Sequence, residues 1–184
     1  MILPLGVGEF SVRYVSVASL ALALFNGSIV PAHAAAYYSP SLAARLLAAH
    51  NAERARVGVR PLQWDPALAA SAAAYGPTLA RLGRLQHSPR AMRPGQRENL
   101  WMGSRGAFSP EQMVGNWISE KAYYRPGTFP YVSRTGRWDD VAHYTQVVWS
   151  GTTNVGCAVY SAARWDYLIC RYSPPGNLDG RRVV

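Results

Sequence analysis

Among the side chains that can move protons or hold metal ions, five stand out by their surroundings: His50, His87, His143, Glu98 and Glu120. Neutral imidazole and carboxylate are both zinc ligands, and together they form a common acid–base pair. Two histidines and two glutamates can therefore bind a divalent cation. They can equally run acid–base chemistry on a substrate held between them. No local motif such as H-E-x-x-H joins any two of them. Taken singly, His87 reads as a boundary histidine beside the Ser88-Pro89 break, and His143 as the start of the aromatic-rich "HYTQVVW". His50 falls at the end of a helix's apolar face without a ligand-like neighbour, so a structural, hydrogen-bonded role is expected for it. Glu120 follows Met113 by seven residues and Trp117 by three, which puts it on or beside an apolar helix face. A glutamate there needs an arginine partner or a polar cavity.

Other chemistries fit worse. There is no G-x-S-x-G elbow, and no glycine-rich loop opens a helix after a strand. His87-Ser88 is only a dipeptide, since adjacency does not give attack geometry.

The elements that must position these residues are partly legible. Ser39-Pro40 reads as N-cap and N1 of an amphipathic helix with Leu42, Ala43, Leu46, Leu47 and His50 on one side, stopped by Gly58 and Pro61. Asp65 caps and Pro66 opens a second helix with a small-residue stripe of Leu68, Ala69, Ala72 and Ala73, which Pro77 should kink or end. Residues 88–109 are rich in Pro and Gly and read as loop. Ser109 with Gln112 forms a capping box for a third helix bearing Met113, Val114, Trp117 and Ile118. After an irregular stretch, Asp140 can cap a short helix. "VGCAVY" and "WDYLICRY" read as two strands joined around Ser161 to Arg164. Helices first and a late hairpin predict an α/β layering.

"SVRYVSVASLALALFNGSIVPAHA" has a basic flank at Arg13, an apolar run and a small-x-small site at Ala32-His33-Ala34. This predicts a cleaved signal peptide over 1–34, with mature residues 35–184 forming one domain. Asn26, Gly27 and Pro31 interrupt the run and argue against an anchor, and no later segment is apolar enough to span a bilayer. The expected location is extracellular or periplasmic. Export makes a single Cys157–Cys170 disulfide the expectation, and the two strands can bring that pair together.

The formal charge is +9, and Lys121 is the only lysine. Such a chain is drawn to anionic lipid or polymer. The arginines are scattered, however, without the dense stripe or module of a nucleic-acid reader.

Several stretches, in order, resemble the CAP superfamily of cysteine-rich secretory, antigen 5 and pathogenesis-related 1 proteins, whose shared unit is the SCP domain. They are "LLAAHNAERARVGVRPLQWDPALA", "LQHS", "ENLW", "VGNWISEKAYY", "HYTQVVWSGTTNVGCAVY" and "YLICRYSPPGN", spanning about Pro40 to Asn177. The resemblance implies a three-layer α-β-α sandwich around a central antiparallel sheet, with strands in regions read above as loop. It implies that His87, Glu98, Glu120 and His143 surround one cleft. Ala142 replaces the usual glycine of the histidine motif. In some members the paired histidines bind zinc or another divalent cation, here His87 and His143 with Glu98 and Glu120 supporting. Several members bind sterol or lipid at separate sites. No general reaction is settled for the family. The single cysteine pair and the "LDGRRVV" end resemble a minimal, single-domain, bacterial-type member. A binding module for a cation and a lipid, sterol or anionic envelope component is the favoured expectation. A hydrolase using the four His/Glu residues is the alternative.

Overall fold

A computed structural model describes residues 41–184. The signal-peptide segment and the Ser39-Pro40 helix start lie outside the described residues. Helix α1 spans Leu42–Arg56, and its cap is Ser41, whose hydroxyl accepts from the Ala44 N–H at 3.2 Å. Its buried stripe is Leu46, His50, Glu53 and Arg54, whereas Leu42 is exposed. The apolar face therefore begins one turn later than expected and ends in buried polar groups.

Strand β1 is only Gln63–Trp64. Helix α2, Pro66–Leu82, is capped by the Asp65 carboxylate, which accepts from the N–H groups of Ala67 and Leu68. It runs through Pro77 without ending there and stops at Gly83, whose φ of 64° is the left-handed conformation of a helix C-terminus. The carbonyl that Pro77 leaves without an intrahelical donor belongs to Ala73. Ala73 and Pro77 are both exposed, so water reaches that face. The buried stripe is Leu68, Ala72, Tyr75, Gly76 and Leu79, which corrects the expected one: Ala69 is half-buried and Ala73 faces out.

The loop reading of residues 88–109 is overturned at its centre. Arg97–Ser104 is strand β2, preceded by a 3-10 turn at Arg90–Met92. From Glu98 to Trp101 it is buried without alternation, so the period-2 signal of a half-exposed strand is missing. Helix α3, Pro110–Ser119, has the expected capping box: Ser109 and Gln112 each bind the other's backbone N–H. Glu120 lies just past it, opening a 3-10 turn at Glu120–Ala122. A 3-10 turn at Trp138–Val141 leads into α4, Ala142–Val147. Asp140 lies inside that turn and makes no cap; its carboxylate is engaged with Thr135 and Arg137. Strands β3, Asn154–Ser161, and β4, Trp165–Ser173, form the expected hairpin.

The sheet order is β1-β3-β4-β2. The three long strands are antiparallel, and β1 adds a short parallel edge on β3. Each face of the sheet carries its own core. On one, Ala72, Tyr75 and Leu79 of α2 pack against Leu100, Tyr167 and Ile169. On the other, Leu46, Val114, Trp117 and Val147 from the remaining helices pack against Val155, Leu168 and Tyr172. The result is an α-β-α sandwich. Gly156 permits the close seating of α2, because a Cβ there would collide with the backbone of Asp65 and Ala69. Cys157 and Cys170 are register partners across β3 and β4 and form the disulfide.

Candidate functional site: two histidines held by two glutamates

His87 follows α2 in a segment without regular secondary structure, and Glu98 is the second residue of β2. Tertiary packing brings them together. Glu98 Oε1 accepts from His87 Nδ1 at 2.9 Å and from the Ser88 backbone N–H at 2.9 Å. Glu98 Oε2 accepts from Ser88 Oγ at 2.8 Å and from Arg171 Nη2 at 3.5 Å. The Glu98 side chain is fully buried, while the His87 side chain is 55% exposed. Burial alone would raise the Glu98 carboxyl. The hydrogen bonds from His87 and from Ser88 outweigh it, and the charge of His87 adds to them, so its pKa falls below the ordinary glutamate value.

The second pair repeats this construction. Glu120 Oε1 accepts from His143 Nδ1 at 2.6 Å. Glu120 Oε2 accepts from the backbone N–H groups of His143 and Tyr144, each at 3.0 Å. Those N–H groups open α4, so Glu120 serves as the cap that Asp140 was expected to be. The arginine partner expected for Glu120 is replaced by a histidine and two backbone donors.

The same chemical consequence follows in both pairs. A carboxylate oxygen only accepts, so Nδ1 carries a proton in both rings, and in the neutral imidazole the lone pair is then on Nε2. Neither Nε2 has a hydrogen-bond partner among the described residues. His143 is further fixed by Trp117, whose ring lies 6.0 Å away at an interplanar angle of 13°. The Trp117 indole N–H in turn donates to the Leu100 carbonyl of β2. Asn99, next to Glu98 but on the opposite face of the strand, donates to the His143 carbonyl at 3.1 Å. The two pairs are thus tied to one strand.

A cavity of about 650 Å³ is lined by His87, Glu98, Asn99 and His143, with Phe129 and Trp138 among its apolar wall. Glu120 does not line it; it stands behind His143. Of the four residues expected around one cleft, three face the cavity and one supports from outside.

His50 takes no part. Its Nδ1 donates to the Leu46 carbonyl at 2.7 Å, and its Nε2 accepts from the Tyr172 hydroxyl at 2.9 Å. Burial lowers its pKa to about 4, so it is neutral. Its ring nitrogen lies within 4.8 Å of the sulfurs of Cys157 and Cys170. Those sulfurs are bonded to each other and offer no thiolate, so the cluster is structural.

Sequence reasoning overlooked Arg171, Arg93 and Asn99, and set Ser88 aside. The "HS" dipeptide did carry a signal: Ser88 is the second donor that seats Glu98. Arg171 carries none, standing 73 residues from its partner.

Residues 47–172 match the CAP family, described as the cysteine-rich secretory protein family. Pathogenesis-related protein 1C of Nicotiana tabacum is 41% identical over 138 residues, 73% of this chain and 76% of that protein. Pathogenesis-related protein PR-1 of Medicago truncatula is 36% identical over 148 residues, 79% of this chain and 81% of that protein. Among solved structures, NaASP2 with Zn2+ superposes with a TM-score of 0.66 at 25% identity, covering 78% of this chain and 85% of that one.

Proposed function

The chain belongs to the cysteine-rich secretory protein (CAP) family, and from that premise we propose that it is an exported binding module whose cleft holds a divalent cation, zinc in the first instance, through His87 and His143. The observation that carries this reading is the pairing of each Nδ1–H with a glutamate, which leaves both Nε2 lone pairs free beside one cavity. Hydrogen bonding of the second imidazole nitrogen to a carboxylate is the usual support of a histidine metal ligand. A structural relative has been solved with Zn2+. Two imidazoles leave coordination positions open, so a bound cation would supply a Lewis-acidic anchor for an outside ligand. Glu98 and Glu120 are supports in this reading.

The same hydrogen bonds argue against the two glutamates as the acid–base pair of a hydrolase. All four glutamate oxygens are engaged by N–H or O–H donors. The Ser88 hydroxyl is buried and donates to Glu98, so it is no nucleophile.

Export rests on the 1–34 leader, supported by the disulfide and by the family. The mature N-terminus recovered outside the cytoplasm is expected at Ala35. Calorimetric titration with zinc tests the cation site: wild type binds one equivalent, and His143→Ala removes binding while keeping the native circular dichroism. Equal zinc affinity in the two proteins defeats the reading.

A further inference from the structure

Three arginines share the cavity with the histidines. Arg90, Arg93 and Arg97 line it, and the same three, with Leu178, line an adjoining hollow of about 240 Å³. Their partners are almost all uncharged. Arg97 donates to the carbonyls of Gly176 and Asn177, each at 2.9 Å. Arg93 donates to the carbonyls of Ser88 and Gln96. Arg90 is exposed, and its guanidinium has no hydrogen-bond partner among the described residues. A carbonyl accepts a hydrogen bond but cancels no charge. Two carboxylates also line the cavity, Glu98 and Asp179. Glu98 is 4.0 Å from Arg93 and is already shared with His87 and the buried Arg171. Asp179 acts on Arg97, but more weakly than burial and the charges of Arg90 and Arg93, which together lower its pKa. Like charges crowded on one wall repel, and a bound anion would relieve that repulsion.

The apolar wall supplies the second half of the argument. Trp138 is 48% and Leu178 40% exposed, high for such side chains, and both line this cavity. A planar or apolar group laid there would cover them.

We propose that the cavity takes an organic oxyanion, a phosphate or carboxylate head group gripped by Arg90, Arg93 and Arg97, with its apolar body against Trp138 and Leu178. Guanidinium forks match such oxyanions in geometry and charge, and the cavity volume suits a ligand of that size. The assignment shares the cavity with the cation reading and does not need the cation, because the arginines supply the charge.

The test uses the mature protein with 1-naphthyl phosphate as probe and 1-naphthol as neutral control, titrated calorimetrically after metal has been stripped with EDTA and the chelator, itself a polycarboxylate, dialysed away. The phosphate should bind at least about tenfold tighter than the alcohol, and its affinity should fall with added salt. Arg90→Gln should weaken it by about tenfold. Arg90 is exposed, so the fold should be retained, and circular dichroism checks this. Trp138→Ala should weaken naphthyl phosphate but leave inorganic phosphate unchanged. Phosphatidylcholine vesicles carrying phosphatidic acid distinguish the source: co-sedimentation competed by naphthyl phosphate assigns the head group to a lipid, and none assigns it to a free metabolite. Equal binding of phosphate and alcohol, or no effect of Arg90→Gln, overturns the proposal. So does binding that appears only after zinc is added to the stripped protein, which would place the anion on the metal. Failure of the zinc titration leaves these metal-free results intact.

Discussion

Glu120 holds His143 by two different atoms. One carboxylate oxygen accepts from the imidazole Nδ1 at 2.6 Å, and the other accepts from the same residue's backbone N–H at 3.0 Å. Ring tautomer and helix start are therefore set by one side chain. Glu120→Gln keeps an acceptor but loses the charge, and zinc affinity is expected to fall by about 10–100-fold with little loss of stability. Glu120→Ala also uncaps α4 and should cost about 1–2 kcal/mol in urea unfolding. An Ala variant with undiminished zinc affinity would show that the orientation is set elsewhere.

Arg171 and Glu98 are register partners on β4 and β2, with side chains 1% and 0% exposed. Removing the cation leaves a buried carboxylate with less compensation. Arg171→Leu is expected to destabilise the fold by roughly 3–5 kcal/mol. Denaturant midpoints of the two proteins measure it, and a loss below about 1 kcal/mol contradicts the assignment.

Acid should weaken the fold through two groups. His50 has a folded pKa of about 4 against an ordinary 6.5, so the unfolded state binds its proton first. The stability it protects is complete above about 6.5 and is lost as pH falls toward 4, by roughly 3 kcal/mol. Glu98 has a lowered pKa, so its contribution is present above the ordinary glutamate value and is lost at lower pH. Between pH 6.5 and 5 the slope belongs to His50 alone of these two. His50→Gln should flatten that part of a stability-versus-pH curve, and an unchanged slope in the variant refutes the account.

The disulfide joins residues 13 apart. Closing so short a loop contributes about 3 kcal/mol in the chain-entropy account. The Cys157→Ala, Cys170→Ala double variant is expected to unfold at correspondingly lower denaturant. Intact mass of the non-reduced protein should lie two hydrogens below the reduced form; two titratable thiols in the native protein would disprove the bond.

Some of this was decided by residues within a few positions of one another. The Ser109–Gln112 box, the Asp65 cap before Pro66, and the β3–β4 hairpin with its cysteines all follow from local backbone chemistry, and the structure has them where expected. The four His/Glu residues were recognisable through their flanking motifs. Their jobs were not. Strand β2 hid because it is buried on both faces and so has no alternation to read. Glu120 capping α4 from 23 residues away, Glu98 facing Arg171 across 73, and the arginine wall along one cavity depend on the sheet bringing distant segments together. No spacing in the chain encodes those distances, because a folded register, not sequence separation, determines which charges meet.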